Sequence, residues 1–319
     1  MSCGCSGNSG MRTSVTASPD PIGDERQDYL PFLGSEIIAS EPADALFHVL
    51  PVPWERTVSY GSGTARGPAA ILAASWQLEP WDRGQVPAAA GVSTLSPVDV
   101  SGTPELVLDR IAEATTGILG HGAVPVVLGG EHTVTYGVVQ GLLAARIGGF
   151  GVVQLDAHAD LRASYRGDPL SHACVMRRIV EAGIPLYQLG VRAICAEEAA
   201  ARERHGVGFV DADVLVPRGI SQVRLPPGFP EQVYVTLDVD GLDPSVIPAT
   251  GTPVPGGPGW YQTLSLLESV ARQRRLIGFD LVELAPIAGL HCYDFAAAQL
   301  VYKLMGIQHL AATGRKPMK

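Results

Sequence analysis

From about residue 45 onward, short apolar runs alternate with segments of helical period. Val124-Pro-Val-Val-Leu128 and Gly151-Val-Val-Gln-Leu155 are apolar almost throughout. That is the pattern of strands covered on both faces, not of strands with one wet face. Strands are expected at Leu46–Pro51, Val124–Leu128, Gly151–Leu155, Pro185–Leu189, Gly208–Val210, Gln232–Leu237 and Leu276–Leu281. Helices are expected at Gly67–Leu78, Pro104–Leu119, Val134–Ala145, Ser171–Ala182, Cys195–His205, Tyr261–Arg272 and Phe295–Leu304. Such alternation predicts a single α/β domain over residues 41–319, with helices on both faces of a parallel sheet. Residues 1–40 are polar and hold turn formers such as Ser18-Pro-Asp-Pro21, which predicts an N-terminal arm, partly disordered.

A sheet of this kind places function in the loops that follow the carboxyl ends of its strands. The polar clusters fall there. Leu128 leads into Gly129-Gly-Glu-His132, Leu155 into Asp156-Ala-His-Ala-Asp160, Leu237 into Asp238-Val-Asp240, and Leu281 into Val282-Glu283. Asp156, His158 and Asp160 stand at i, i+2 and i+4, so an extended segment turns all three to one side. Asp238 and Asp240 repeat the spacing. With His132, four carboxylates and two imidazoles converge. Carboxylates packed so closely repel one another unless cations intervene. Two divalent ions remove the conflict, and a His/Asp donor set without thiolate favours Mn²⁺ over a structural Zn²⁺ site or Mg²⁺.

Composition narrows the classes further. The 319 residues carry 23 basic and 32 acidic side chains, a formal net charge of −9, and 46% are apolar. An acidic chain without a basic run does not read as a nucleic-acid binder. No apolar stretch reaches the roughly 18 residues of a membrane helix, and the start lacks the apolar core of a secretory signal. The five cysteines are an odd number and scattered, apart from a Cys3-Gly-Cys5 pair, which fits reduced thiols in a cytoplasmic protein.

Three segments carry a family resemblance. Gly129-Gly-Glu-His132, Asp156-Ala-His-Ala-Asp160 and Asp238-Val-Asp-Gly-Leu-Asp-Pro-Ser-Val-Ile-Pro-Ala-Thr-Gly-Thr-Pro253 resemble the signatures of the ureohydrolases, the arginase and agmatinase enzymes. Val58-Ser-Tyr-Gly-Ser-Gly-Thr-Ala-Arg-Gly-Pro68 is agmatinase-like as well. The resemblance covers about residues 45–308. It implies an arginase-like three-layer α/β sandwich with a mostly parallel central sheet, assembled as a homotrimer or homohexamer. It also implies two Mn²⁺ per chain: one held by His132, Asp156, Asp160 and Asp238, the other by Asp156, His158, Asp238 and Asp240, with Asp156 and Asp238 bridging. Glu283 matches the position that orients the guanidinium group, and His172 the proton-shuttling histidine.

The implied chemistry is hydrolysis of a guanidino group to urea and amine. Resonance makes the guanidinium carbon a poor target for neutral water, whereas a hydroxide bridging two metals is a competent nucleophile at neutral pH. Asp160 joins His172 and Glu283 as a catalytic candidate. The loop Leu161–Ser171 holds no Asn to grip an amino acid head group, which points to agmatine, giving putrescine and urea. Asp168 and Glu131 are candidates to receive the cationic tail. Val254, where many agmatinase-type sequences carry Glu, and Arg162 and Arg166 keep guanidinobutyrate, aminopropylagmatine and arginine open. A dinuclear phosphoesterase would need a downstream Asn-His-Asp/Glu segment, which is missing. A silent metal-binding scaffold would have lost a ligand or the His172/Glu283 pair, and all eight residues are present.

Overall fold

Eight strands form one parallel sheet in the computed structural model, which describes residues 30–314. They are β1 (Phe47–Val52), β2 (Val92–Thr94), β3 (Val124–Gly129), β4 (Phe150–Leu155), β5 (Leu186–Leu189), β6 (Gly208–Val210), β7 (Gln232–Asp238) and β8 (Arg275–Val282). Their order is β2-β1-β3-β8-β7-β4-β5-β6, and every pairing is parallel. The apolar runs of β1, β3 and β4 are buried at every position, as strands covered on both faces must be.

The helices are α1 (Gly67–Ser75), α2 (Pro104–Gly120), α3 (Val134–Ala144), α4 (Val175–Glu181), α5 (Ala196–His205), α6 (Ala212–Leu215), α7 (Trp260–Ala271) and α8 (Cys292–Thr313). One core cluster joins the sheet to α1, α7 and α8 around Ile71, Leu267 and Leu304; the other joins it to α2, α3 and α4 around Ile111, Val138 and Ile179. The result is the expected three-layer sandwich. Local signals set several boundaries: Thr103 caps α2 by accepting from Leu106 N–H, and Gly206 closes α5 in the left-handed conformation at φ 63°.

The differences from expectation lie in short elements and at element ends. β2 and α6 have three and four residues, too few for a period to show. The helix expected from Ser171 begins as a 3-10 turn at His172–Cys174 before α4. α8 is twelve residues longer than its expected core; its stretch Ala297–Gln308 is mostly buried and the helix packs against α1 and α7, where tertiary packing extends a helix beyond its local pattern. Phe32 and Leu33, inside the segment expected as an arm, are buried, and Leu33 N–H donates to Ser75 Oγ. The Cys3/Cys5 pair and the rest of residues 1–29 lie outside the described residues. Cys174, Cys195 and Cys292 are free thiols. No helix among the described residues is long and apolar enough to cross a membrane.

Candidate metal centre and active-site cavity

The strand order is what assembles the site. After β3 the chain crosses to β4, builds outward to β6, then returns to fill the gap with β7 and β8. Four adjacent strands, β3, β8, β7 and β4, therefore end side by side and deliver His132, Glu283, the Asp238 pair and the Asp156 segment to one edge. Gly130 permits the close approach of β3 to the neighbouring loop, since a Cβ there would stand 2.1 Å from the Trp54 carbonyl oxygen.

Six expected ligands come together. His132 Nδ1 faces carboxylate oxygens of Asp156, Asp160 and Asp238 at 3.1, 3.0 and 3.6 Å. His158 Nδ1 lies 3.0 Å from Asp240 and 3.6 Å from Asp156. Two groups, His132/Asp156/Asp238 and Asp156/His158/Asp240, each place one donor atom per residue within 4.8 Å of the others, and Asp156 belongs to both.

The tautomer of His132 follows from its surroundings. The Thr236 hydroxyl gives its single hydrogen to Asp280 Oδ1 at 2.7 Å, so its contact at 2.8 Å with His132 Nε2 must be accepted from the ring. A neutral His132 then carries its lone pair on Nδ1. That atom is buried, and none of the surrounding carboxylate oxygens lies along a hydrogen-bond direction from it.

Ionisation reports the same imbalance. Burial works to lower the pKa of His132, yet Asp156 and Asp160 hold it well above the ordinary imidazole range. Burial likewise opposes protonation of His158, but Asp156 and Asp240 push it up to about 12. Burial and the neighbouring Asp156 raise Asp160 to about 7; burial, Asp240 and Asp156 raise Asp238 well above the carboxylate range. Buried oxygens that repel one another, beside an imidazole nitrogen with no hydrogen-bond partner, fit divalent cations held by oxygen and nitrogen donors.

The cluster opens into a cavity of about 440 Å³. Glu283 lines it from a left-handed backbone (φ 64°), with Oε1 accepting from His132 N–H at 2.7 Å; burial raises its pKa, and Glu131 and Asp240 add to the effect. Asp160, at φ 52°, is likewise left-handed. Non-glycine residues hold that conformation at a cost the surroundings must offset, and such positions gather at functional sites. His172 also lines the cavity. Its Nδ1 contacts Thr57 Oγ1 at 2.9 Å and its Nε2 contacts Ser59 Oγ at 2.8 Å, while the Tyr165 ring meets it edge-on at 5.8 Å. Burial first, then the positive charge of His132 and His158, lowers its pKa to about 4.

The two carboxylates expected to receive a substrate tail are turned to other partners. Asp168 is engaged by the Arg56 guanidinium and by Leu170 N–H. Glu131 is buried and accepts from the backbone of Arg56 and Thr57 and from the Thr57 and Thr133 hydroxyls. Neither lines the cavity. Arg162 does line it, with its guanidinium 5.4 Å from the centre of the Tyr165 ring, whereas Arg166 donates to the carbonyls of Val58 and Ser59. Thr57, Ser59 and Tyr165 are additions that the sequence did not single out; Ser59 did lie inside a recognised loop. That loop is seated by Gly61, whose N–H donates to Gly251 O at 3.1 Å and whose Cβ, if present, would stand 3.0 Å from Gly251 Cα.

Comparison with known proteins gives the family. The arginase family model matches residues 45–306. An N(1)-aminopropylagmatine ureohydrolase of Synechocystis is 41% identical over 289 residues, covering 86% of this chain and 92% of the relative. An agmatinase of Pyrococcus horikoshii is 32% identical over 271 residues, covering 83% and 92%. Among solved structures, the agmatine ureohydrolase of Thermoplasma volcanium superposes with a TM-score of 0.78 at 27% identity, covering 90% of this chain and 96% of that one. The chain belongs to the arginase family and is a hydrolase of the ureohydrolase class.

Proposed function

We propose that this enzyme hydrolyses the guanidino group of a guanidino amine, N(1)-aminopropylagmatine or the shorter agmatine, to urea and the free amine. The observation that carries the reading is the convergence of His158, Asp160, Asp238, Asp240, His172 and Glu283 on one cavity, with His132 and Asp156 at its base. The longer substrate is preferred because the relative acting on it shares 41% of its residues, against 32% for the agmatinase. A 440 Å³ cavity has room for its extended tail.

His132, Asp156, Asp160 and Asp238 would hold one Mn²⁺, and Asp156, His158, Asp238 and Asp240 the other. Divalent ions at such a site supply the Lewis acidity that makes water nucleophilic at neutral pH. The chain's own groups do the rest. Glu283 binds and orients the planar guanidinium by charge-assisted hydrogen bonds, its carboxylate braced by His132 N–H. Asp160 accepts the proton lost by the attacking water. As the C–N bond breaks, the leaving nitrogen takes a proton, which His172 relays; a neutral imidazole between two hydroxyls can accept and pass on a proton without standing charged.

Arg162 favours a second reading, a guanidino acid such as guanidinobutyrate, because its cation lines the cavity. Urea release by Mn²⁺-loaded protein from aminopropylagmatine, agmatine, guanidinobutyrate and arginine separates the two. Preference for either amine supports the proposal, preference for guanidinobutyrate moves the substrate class to the acid, and no urea from any of them overturns both. The homotrimer or homohexamer implied by the family resemblance is a separate proposal, which analytical ultracentrifugation tests.

A further inference from the structure

Behind the candidate metal ligands, two glutamines and an arginine form a buried chain that the proposed reaction does not use directly. Gln154 on β4 stands opposite Gln188 on β5 in the parallel register. Gln154 and Gln188 are fully buried and Arg202, on α5, is 4% exposed. Arg202 Nε donates to Gln188 Oε1 at 2.8 Å, Gln188 Nε2 donates to Gln154 Oε1 at 2.5 Å, and Gln154 Nε2 donates to Asp156 Oδ2 at 2.7 Å.

The direction of this chain is determined by its ends. A guanidinium can only donate and an ionised carboxylate can only accept, so each amide between them is forced into one orientation. The second hydrogen of each amide is spent on the ligand loop itself. Gln154 Nε2 also reaches His158 O at 3.3 Å, and Gln188 Nε2 reaches Ala159 O at 2.8 Å. Both amides are thereby aimed at the five residues that supply Asp156, His158 and Asp160. Arg202 is held in turn by Asp211 Oδ2 at 2.9 Å and by the Phe209 ring 4.3 Å from its guanidinium carbon. A run of donors pointing one way in a buried setting strengthens each member by polarisation.

We propose that Gln154, Gln188 and Arg202 are positioning residues of the metal centre, a one-way donor chain that orients the Asp156 carboxylate and the backbone of residues 158–159 for cation binding. The inference rests on the metal-centre reading above. Partners in this position behind a metal ligand typically contribute about 10- to 100-fold in metal affinity.

The distinguishing variant is Gln188→Glu. It keeps shape and gives Arg202 a carboxylate partner, but removes the donor to Gln154. The Gln154 amide must then turn its hydrogens toward residue 188 and its carbonyl toward Asp156. Arg202→Met tests the far end while keeping the aliphatic stem. Metal-free wild-type and variants are titrated with Mn²⁺ by calorimetry, and thermal melting of the metal-free forms is measured alongside. The expected result is a 10- to 100-fold weaker dissociation constant in both variants, with Gln188→Glu melting within a few degrees of wild-type. Unchanged dissociation constants overturn the proposal. So does weakening confined to Arg202→Met together with a lowered melting temperature, which is what a merely structural arginine would give. A wild-type chain that takes up no divalent ion overturns the metal centre itself, and the relay with it.

Discussion

Glu283 and His132 are joined by a 2.7 Å hydrogen bond from the histidine's backbone N–H to the glutamate's Oε1, tying the end of β8 to the turn that follows β3. The bond places the carboxylate beside the metal-ligand cluster while leaving its charge to the cavity. It also separates two roles, since the His132 N–H can donate to an amide oxygen as well as to a carboxylate. Glu283→Gln is expected to keep the fold and the metal content but to lower kcat/KM by roughly 10²-fold, the scale of removing one charge from a desolvated pair at about 3 kcal/mol. Steady-state urea release with elemental analysis checks this; unchanged kcat/KM removes Glu283 from substrate binding.

Asp156 serves both candidate ligand groups. Asp156→Asn is therefore expected to lose metal and activity together, whereas loss of a ligand confined to one group would spare part of the occupancy. Metal stoichiometry by mass spectrometry, compared with Asp240→Asn, is the readout. Full occupancy in Asp156→Asn contradicts a shared ligand.

His172 touches Thr57, Ser59 and Tyr165 rather than the ligand oxygens. His172→Ala is expected to keep the metals and slow turnover by about 10²–10⁴, the usual range for a lost acid–base group. Wild-type turnover in this variant would leave the proton relay to another residue.

The same histidine predicts a pH effect on stability. Its folded pKa, lowered to about 4 chiefly by burial, lies below the ordinary 6.5, so the unfolded chain takes up the proton first. The neutral imidazole's contribution is complete above pH 6.5 and is lost as pH falls from there toward 4. Relative to His172→Gln, the wild-type should lose about 2–3 kcal/mol across that window. Denaturant unfolding of both proteins at pH 7 and pH 4.5 measures the difference, and parallel curves would place the histidine in a solvated setting.

Arg162 presents its guanidinium at the cavity over the Tyr165 ring. Arg162→Glu is expected to raise kcat/KM for the guanidino amines about 5- to 10-fold and to lower it for guanidinobutyrate, the scale of a partly solvated charge contact near 1 kcal/mol. Equal effects on both substrate classes would mean that the side chain does not meet the tail.

The primary sequence determined more of this protein than its length suggests. The apolar runs marked seven of the eight strands, and the polar residue after each of four strands marked the candidate ligands, because a strand's period of two and its carboxyl end are local properties. Asp156, His158 and Asp160 could be read as one face from spacing alone. Other features depend on approaches between distant segments. Thr57 reaches His172 across 115 positions, Arg56 takes Asp168 away from the cavity across 112, and Gln154 meets Gln188 across 34. No periodicity encodes such pairs. Gln154 and Gln188 meet because β4 and β5 pair side by side, and the other two pairs form because the loops after β1 and β4 come together at the rim of the cavity; in each case polar groups must find partners wherever packing has placed them. The ligand set was local in the sequence; its orientation, its charge balance and the walls of its cavity came from the tertiary structure.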